Sequence, residues 1–255
     1  MPARVWDEKG GLMSVLAATL RTGCREMGIE LTGTQIKLFE MHFRLLAAAN
    51  KKFNLTGIVT EKEAAVKHYL DALTCLKVIN NGTKAKRISL IDIGTGAGLP
   101  GVPIKICRPE INITLVEAQK KKALFLEGIK NSLALDGLKV VCARAEDIGR
   151  DQDYREKYDW AVARAVSGLK IIAEYGLPVV RTGGHFLAMK GPRAETEIIK
   201  AVGAVNLLGG AIKESIRVKL PFTGETRNLV LIKKVGPTPE KYPRRAGIPQ
   251  KRPLE

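Results

Sequence analysis

The stretch Ile88-Ser-Leu-Ile-Asp-Ile-Gly-Thr-Gly-Ala-Gly-Leu-Pro-Gly101 decides how the rest of the chain is read. Residues 88–93 are a short apolar run rich in β-branched side chains, the pattern of a strand buried on both faces of a parallel sheet. The run stops at Gly94, Gly96, Gly98 and Gly101. Glycines at this density let the backbone turn tightly and leave its N–H groups open to a ligand. Pro100 suits the first turn of a helix that follows. Strand, glycine turn and helix start together describe a nucleotide-type pocket.

Working outward, the pattern after Ile88 alternates between strand and helix. Strands are expected at 88–93, 111–116, 138–142, 158–163 and 184–189, and helices at 101–107, 119–135, 168–181 and 192–204. Such alternation implies an α/β fold with a parallel sheet covered on both faces and ligands at the carboxyl ends of the strands. Residues 211–220 and 227–235 read as a hairpin, which gives a mostly parallel seven-stranded sheet with a C-terminal antiparallel edge.

On the other side, residues 11 to about 79 recur at helical spacing through Leu12, Val15, Leu16 and Leu20, then Ile36, Phe39, Phe43 and Leu46. Thr32 or Thr34 suits a cap. Thr60-Glu-Lys-Glu63 has capping-box form and opens a third helix that turns Val66, Tyr69, Leu70 and Leu73 inward. Asn80-Asn-Gly82 ends this region. The expected division is therefore an N-terminal helical region at 1–82, a nucleotide-binding domain at 83–236 and a basic tail at 237–255. That tail carries five prolines and little apolar content, so it has no core of its own.

Of the 255 residues, 45% are apolar and 27% charged, an ordinary globular composition. The net charge of +16 is not ordinary and points to a polyanionic partner, nucleic acid above all. Cys24, Cys75, Cys107 and Cys142 are far apart, with no CxxC and no Cys/His cluster. That spacing favours neither a metal site nor a disulfide framework, and it suits a reducing cytoplasm. No apolar run approaches the length of a membrane span.

The candidate chemistry lies at successive strand ends. Asp92 and the glycines close the first strand. Glu117 ends the second, where a carboxylate accepts hydrogen bonds from both hydroxyls of a ribose. Ala145-Glu146-Asp147 follows the third, at the height of an adenine ring. Arg164 ends the fourth, a cation for a cofactor carboxylate or a phosphate, or else a partner in a structural ion pair. Gly96-x-Gly98-x-x-Gly101 also satisfies a dinucleotide pattern. The hairpin that replaces a second nucleotide half, and the acids on strands one and two, tilt the choice from NAD to S-adenosylmethionine.

Asn54-Leu-Thr, His68-Tyr-Leu-Asp-Ala-Leu73, Ile91 to Gly101, Arg144-Ala-Glu-Asp147, Ala163-Arg-Ala165 and Met189-Lys-Gly191 occur in that order. The whole resembles the RsmG family, also called GidB, over roughly residues 12 to 253. These are bacterial methyltransferases that place a methyl group on N7 of a guanine in small-subunit ribosomal RNA. The Leu-Pro-Gly ending of the glycine stretch, joined to the Asn-Leu-Thr and His-x-Leu-Asp segments, is the specific part. The tail resembles the endings of Gram-positive members, with Ile248 where Thr is usual. The resemblance implies a Rossmann-like class I methyltransferase with S-adenosylmethionine held by Gly94, Leu99, Glu117, Ala118, Gln119, Ala145, Glu146 and Arg164, to which the glycine turn itself adds Gly96. The resemblance also implies 16S rRNA or the small ribosomal subunit as partner; cytoplasmic action and a monomeric chain are separate expectations beside it.

For the RNA surface the expected residues are Asn54, His68, Lys190, Arg244, Arg245, Lys251 and Arg252. Each has a plainer reading. Asn54 suits a helix cap, and His68 with Asp71 suits a contact that holds the N-terminal helices to the sheet. Lys190 faces the edge that carries Arg164. The basic tail is either a solubilising end or a flexible arm that orders on RNA. Phe53 and Tyr69 are stacking candidates, with core packing the favoured reading for each. Guanine N7 is an unprotonated acceptor, so catalysis needs orientation, with Arg164 and Lys190 as candidates, and no general base or metal. Rival readings are a nucleotide-binding regulator without activity and an NAD-dependent oxidoreductase.

Overall fold

The computed structural model describes residues 4–6, 12–79, 88–164 and 167–255. The Asn80–Gly82 stop, the expected boundary at 82/83 and Ala165 lie outside these residues. A central sheet is built from β3 (Ser89–Ile93), β4 (Asn112–Glu117), β5 (Leu138–Cys142), β6 (Tyr158–Arg164), β7 (Val180–Lys190), β8 (Gly210–Lys219) and β9 (Thr226–Lys234). Its order is β5-β4-β3-β6-β7-β9-β8, parallel except where β9 pairs with β7 and with β8. The chain runs outward from β3 through β4 to β5, then returns to the other side of β3 with β6. The point where the order reverses is the carboxyl end of β3, where open α/β sheets bind ligands.

Alternate side chains of each strand enter different cores, as the period of two requires. Leu90, Val162, Leu187 and Leu229 join one cluster, while Ile91, Ala161, Phe186 and Val230 join the other. The helices that cover the sheet are α5 (Gly101–Cys107), α6 (Lys120–Ser132), α7 (Ala145–Arg150), α8 (Leu169–Gly176) and α9 (Ala194–Leu207). Helix α7 has six residues, too few for a periodic signal, and the sequence pattern does not reveal it. Strand β7 begins at Val180, four residues before the expected start, because Val180 pairs with Tyr158.

The N-terminal region holds α1 (Val15–Glu26), α2 (Gly33–Phe53), a helix over residues 61–73 labelled α3, and α4 (Leu76–Ile79). Helix α1 starts later than the apolar spacing suggests. Leu12–Ser14 (β2) pairs with Arg4–Trp6 (β1), and the Ser14 hydroxyl accepts from the Ala17 N–H at 3.1 Å. Thr32 caps α2 in a reciprocal arrangement with Gln35. Thr60 caps α3 as expected, accepting from the Glu63 N–H. Within α3, Ala64–Leu70 is wound as a π-helical turn. Val66, Tyr69, Leu70 and Leu73 are all buried, in the same cluster as Leu90 and Leu115 of the sheet. The N-terminal helices thus share the core of one sheet face. Among the described residues no helix is long and apolar enough to cross a membrane.

Beyond β9 the chain does not hang free. Tyr242 and Leu254 are buried against the second sheet-face cluster, and the short helix α10 (Ile248–Lys251) sits beside α8. The expectation of a flexible arm is corrected here. Polar anchors on the sheet domain, with those two apolar residues, take the place of a core within the segment.

Candidate functional site: a cleft at the carboxyl end of the sheet

Gly94, Gly96 and Gly98 all take positive φ, at 69°, 60° and 88°. Those values belong to the left-handed region, where a side chain is strained. The turn folds back on β4, with the N–H groups of Gly94 and Thr95 both donating to the Val116 carbonyl. Asp92 locks it from beneath. Its Oδ2 accepts from the Thr95 hydroxyl at 2.6 Å and from the Gly101 N–H at 2.8 Å. Burial pushes the Asp92 carboxyl up to about 6, against the pull of those two hydrogen bonds. Its Oδ1 has no hydrogen-bond partner among the described residues. A Cβ on Gly101 would stand 2.3 Å from Leu115 Cδ2, so glycine is what lets α5 close on the sheet.

Glu117 binds the turn to the next strand end. Its Oε2 accepts from the Gly96 N–H at 3.1 Å and its Oε1 from the Gln119 N–H at 2.8 Å. Each oxygen keeps a second lone pair, so the carboxylate is oriented and still able to accept from a ligand hydroxyl. Glu117, Ala118 and Gln119 form one wall of a cleft of about 520 Å³. Gly94 and Gly96 form its floor, and Ala145, Glu146 and Arg164 stand at the ends of the following strands. The volume is in the range of small-molecule sites. A Cβ on Gly96 would meet no heavy atom within 4 Å, so the turn faces open space. An oriented carboxylate, a bare backbone turn and a cation beside it fit an adenosine that carries an amino acid.

The structure therefore brings together eight of the nine expected cofactor contacts. The exception is Leu99, whose side chain is packed in the core behind the glycine turn. Arg164 reaches the cleft but its Nη1 is already engaged, donating to the Lys67 carbonyl at 3.1 Å and to Asp71 Oδ2 at 3.3 Å. Asp71 is the partner in its structural ion pair. Arg227 on β9 holds the other oxygen of Asp71 with Nε at 3.2 Å. Nothing in the sequence marked Arg227, since no local pattern connects β9 to α3.

Two expected RNA contacts are corrected. His68 is buried, its Nε2 bonded to the Thr56 hydroxyl at 2.9 Å, and burial with the nearby Arg164 charge lowers its pKa to about 4. Lys190 is also buried, with Nζ 2.7 Å from the Ser167 carbonyl and 2.8 Å from Glu197 Oε2. An ammonium withdrawn from water needs such partners, and here they occupy it. Tyr69 is core, hydrogen-bonded to His42 Nδ1 at 2.8 Å, whereas Phe53 is 43% exposed. Asn54 is the left-handed C-cap residue of α2 and is exposed, so its side chain remains accessible. Arg244 is spent on Glu174, while Arg245, Lys251 and Arg252 are exposed. Among the further residues that line the cleft, Tyr175, Gly247 and Gln250 come from outside the strand ends and had no sequence warning.

Comparison with known proteins bears on this geometry. A solved structure of a mutant of MtNAS in complex with S-adenosylmethionine has a TM-score of 0.52 at 15% identity, with 86% of this chain and 78% of that one covered. That likeness concerns the fold alone. The Ribosomal RNA small subunit methyltransferase G of Pelotomaculum thermopropionicum is 54% identical over 244 residues, 95% of this chain and 100% of that protein. The protein of the same name from Desulforamulus reducens is 44% identical over 242 residues, again 95% and 100%. Residues 35–229 match the family model GidB, rRNA small subunit methyltransferase G, and to that family this chain belongs.

Proposed function

We propose that the chain transfers a methyl group from S-adenosylmethionine to N7 of a guanine in 16S rRNA, and that the cleft beside Glu117 holds the cofactor. Family membership makes it a methyltransferase of small-subunit ribosomal RNA that uses S-adenosylmethionine. The observation that carries the placement is Glu117, pinned by the Gly96 and Gln119 N–H groups at the mouth of the glycine turn. Its oriented oxygens suit the two ribose hydroxyls. Glu146 stands at the adenosine end, and Arg164 at the end where the amino-acid portion and the acceptor meet.

When bound, S-adenosylmethionine supplies an electrophilic methyl on a sulfonium. Guanine N7 presents a lone pair and no proton, so the protein has no proton to remove. Its task is placement. Holding nucleophile and methyl in line supplies about 7 kcal/mol or more in well-oriented systems. A guanine stacked in a helix does not present N7 to a cofactor held in a cleft, so the target is a loop base or one drawn out of its helix. The net charge of +16 attracts the RNA, and Asn54, Arg245, Lys251 and Arg252 are exposed groups suited to contact it. His68 acts behind them by fixing Thr56 in the loop that follows Asn54. We place the action in the cytoplasm, with one chain as the working unit.

The test is methyl transfer from labelled S-adenosylmethionine to 16S rRNA, free and in the small subunit, with nucleoside analysis of the product. Label in 7-methylguanosine is expected. Label on another atom, or none on either substrate, overturns the reading.

A further inference from the structure

The residues that most need an explanation are Gly247 and Gln250. They come from the Pro-rich end of the chain, yet they line the cleft beside Glu146 and Tyr175. The segment is fixed there by the sheet domain. Arg155 donates to the carbonyls of Thr238 at 2.6 Å and Tyr242 at 2.8 Å, and Arg150 to that of Pro243 at 2.7 Å. Arg244 makes a two-pronged pair with Glu174, Nε to Oε1 at 2.9 Å and Nη2 to Oε2 at 2.6 Å. Glu174 has no solvent exposure, so it depends on this partner. The domain is also shaped to receive the segment: a Cβ on Gly149 would stand 2.7 Å from Pro243 Cγ.

The last anchor lies in the cleft itself. Gly247, at φ 81°, turns the chain and donates its N–H to Glu146 Oε1 at 2.8 Å. The short turn of helix that follows carries Gln250 to the cleft. The carboxylate expected at the adenosine end is thus held by the tail, and the exposed amide of Gln250 lines the same cleft. A primary amide has two donors and an acceptor, the complement of an adenine edge.

We infer that the C-terminal segment supplies a wall of the cofactor site, with Gln250 in contact with the adenosine portion of S-adenosylmethionine. The inference rests on the reading of the cleft as the cofactor site. By linkage, a ligand that touches the docked segment and nothing when it is undocked strengthens the docking. Binding of the cofactor therefore tightens residues 244–252.

Calorimetry on the full-length Gln250→Ala, Gln250→Glu and Glu117→Ala variants tests this, with S-adenosylmethionine and with adenosine as ligands. Gln250→Ala is expected to weaken both ligands by about fivefold, the worth of one hydrogen bond, with the thermal midpoint of the free protein unchanged. Hydrogen exchange at residues 244–252 is expected to slow when S-adenosylmethionine is added to the wild-type chain. Full affinity in Gln250→Ala with loss in Glu117→Ala overturns the inference and leaves the cofactor site standing. Full affinity in all variants overturns both. Exchange in the segment that ignores the cofactor also overturns the inference.

Discussion

The N-terminal helices and the C-terminal segment are both attached to the same sheet, but with opposite polarity. On the N-terminal side a carboxylate is brought to cations: Asp71 of α3 lies between Arg164 of β6 and Arg227 of β9. On the C-terminal side a cation is brought to a carboxylate: Arg244 covers Glu174 of α8. The arginines have other partners, the Lys67 carbonyl for Arg164 and Glu225 for Arg227. Among the described residues Glu174 is bonded by Arg244 alone, through its backbone N–H and its guanidinium. The C-terminal segment is therefore the more obligatory attachment, although its sequence has the look of a disposable end.

The sharpest way to break this contrast is to remove one partner on each side. Arg244→Ala removes the guanidinium and leaves the buried Glu174 carboxylate with only the backbone N–H of residue 244, without a countercharge, and the expected loss is about 3–5 kcal/mol of stability. Asp71→Ala leaves two arginines that keep other bonds and some solvent, so the loss is about 1–3 kcal/mol. Urea unfolding of both variants measures the order. A larger loss for Asp71→Ala would reverse the comparison.

The difference also explains what was legible in the sequence. The strand-turn-helix at 88–101 could be read because each property is local: apolar run, glycine spacing and a following proline. Glu117 and Glu146 could be placed because a parallel sheet puts consecutive strand ends on one edge. The attachments could not be read. Asp71 and Arg227 are brought together across the sheet, and Glu174 and Arg244 meet only after the segment has wrapped round the domain. His68 and Lys190 sit at strand-end height, but their depth depends on what packs over them, and periodicity is silent on depth. The docked tail is hidden from the sequence for a related reason: low apolar content excludes a core of its own but says nothing of polar anchors on a neighbour.

A second contrast is in pH. His42 and His68 lie in the N-terminal region, both lowered by burial to about 4 from an ordinary 6.5. Burial favours their neutral forms in the fold. The stability they contribute is complete above 6.5 and is lost as pH falls through about 4, at most about 1.4 kcal/mol per pH unit for each group. The expected outcome is a decline in unfolding free energy from pH 7 to pH 5, shallower in His68→Gln. An equal decline in wild type and His68→Gln would remove His68 as a source.

The smallest effect separates two roles within α10. All three of Gln250, Lys251 and Arg252 are exposed, but of them only Gln250 is a lining residue of the cleft. If the segment serves the cofactor through one face and the RNA through the other, Lys251→Ala with Arg252→Ala leaves cofactor affinity and stability unchanged. RNA affinity falls modestly, and its dependence on salt flattens. Each contact to a single-stranded phosphate contributes a slope of about 0.7 in log affinity against log salt, so losing both lowers the slope by about 1.4. Filter binding of 16S rRNA between low and moderate salt measures this. An unchanged slope moves the RNA away from the C-terminal segment and leaves Asn54 and the N-terminal helices as its surface. A changed slope together with weaker cofactor binding would mean that the two faces of α10 do not act separately.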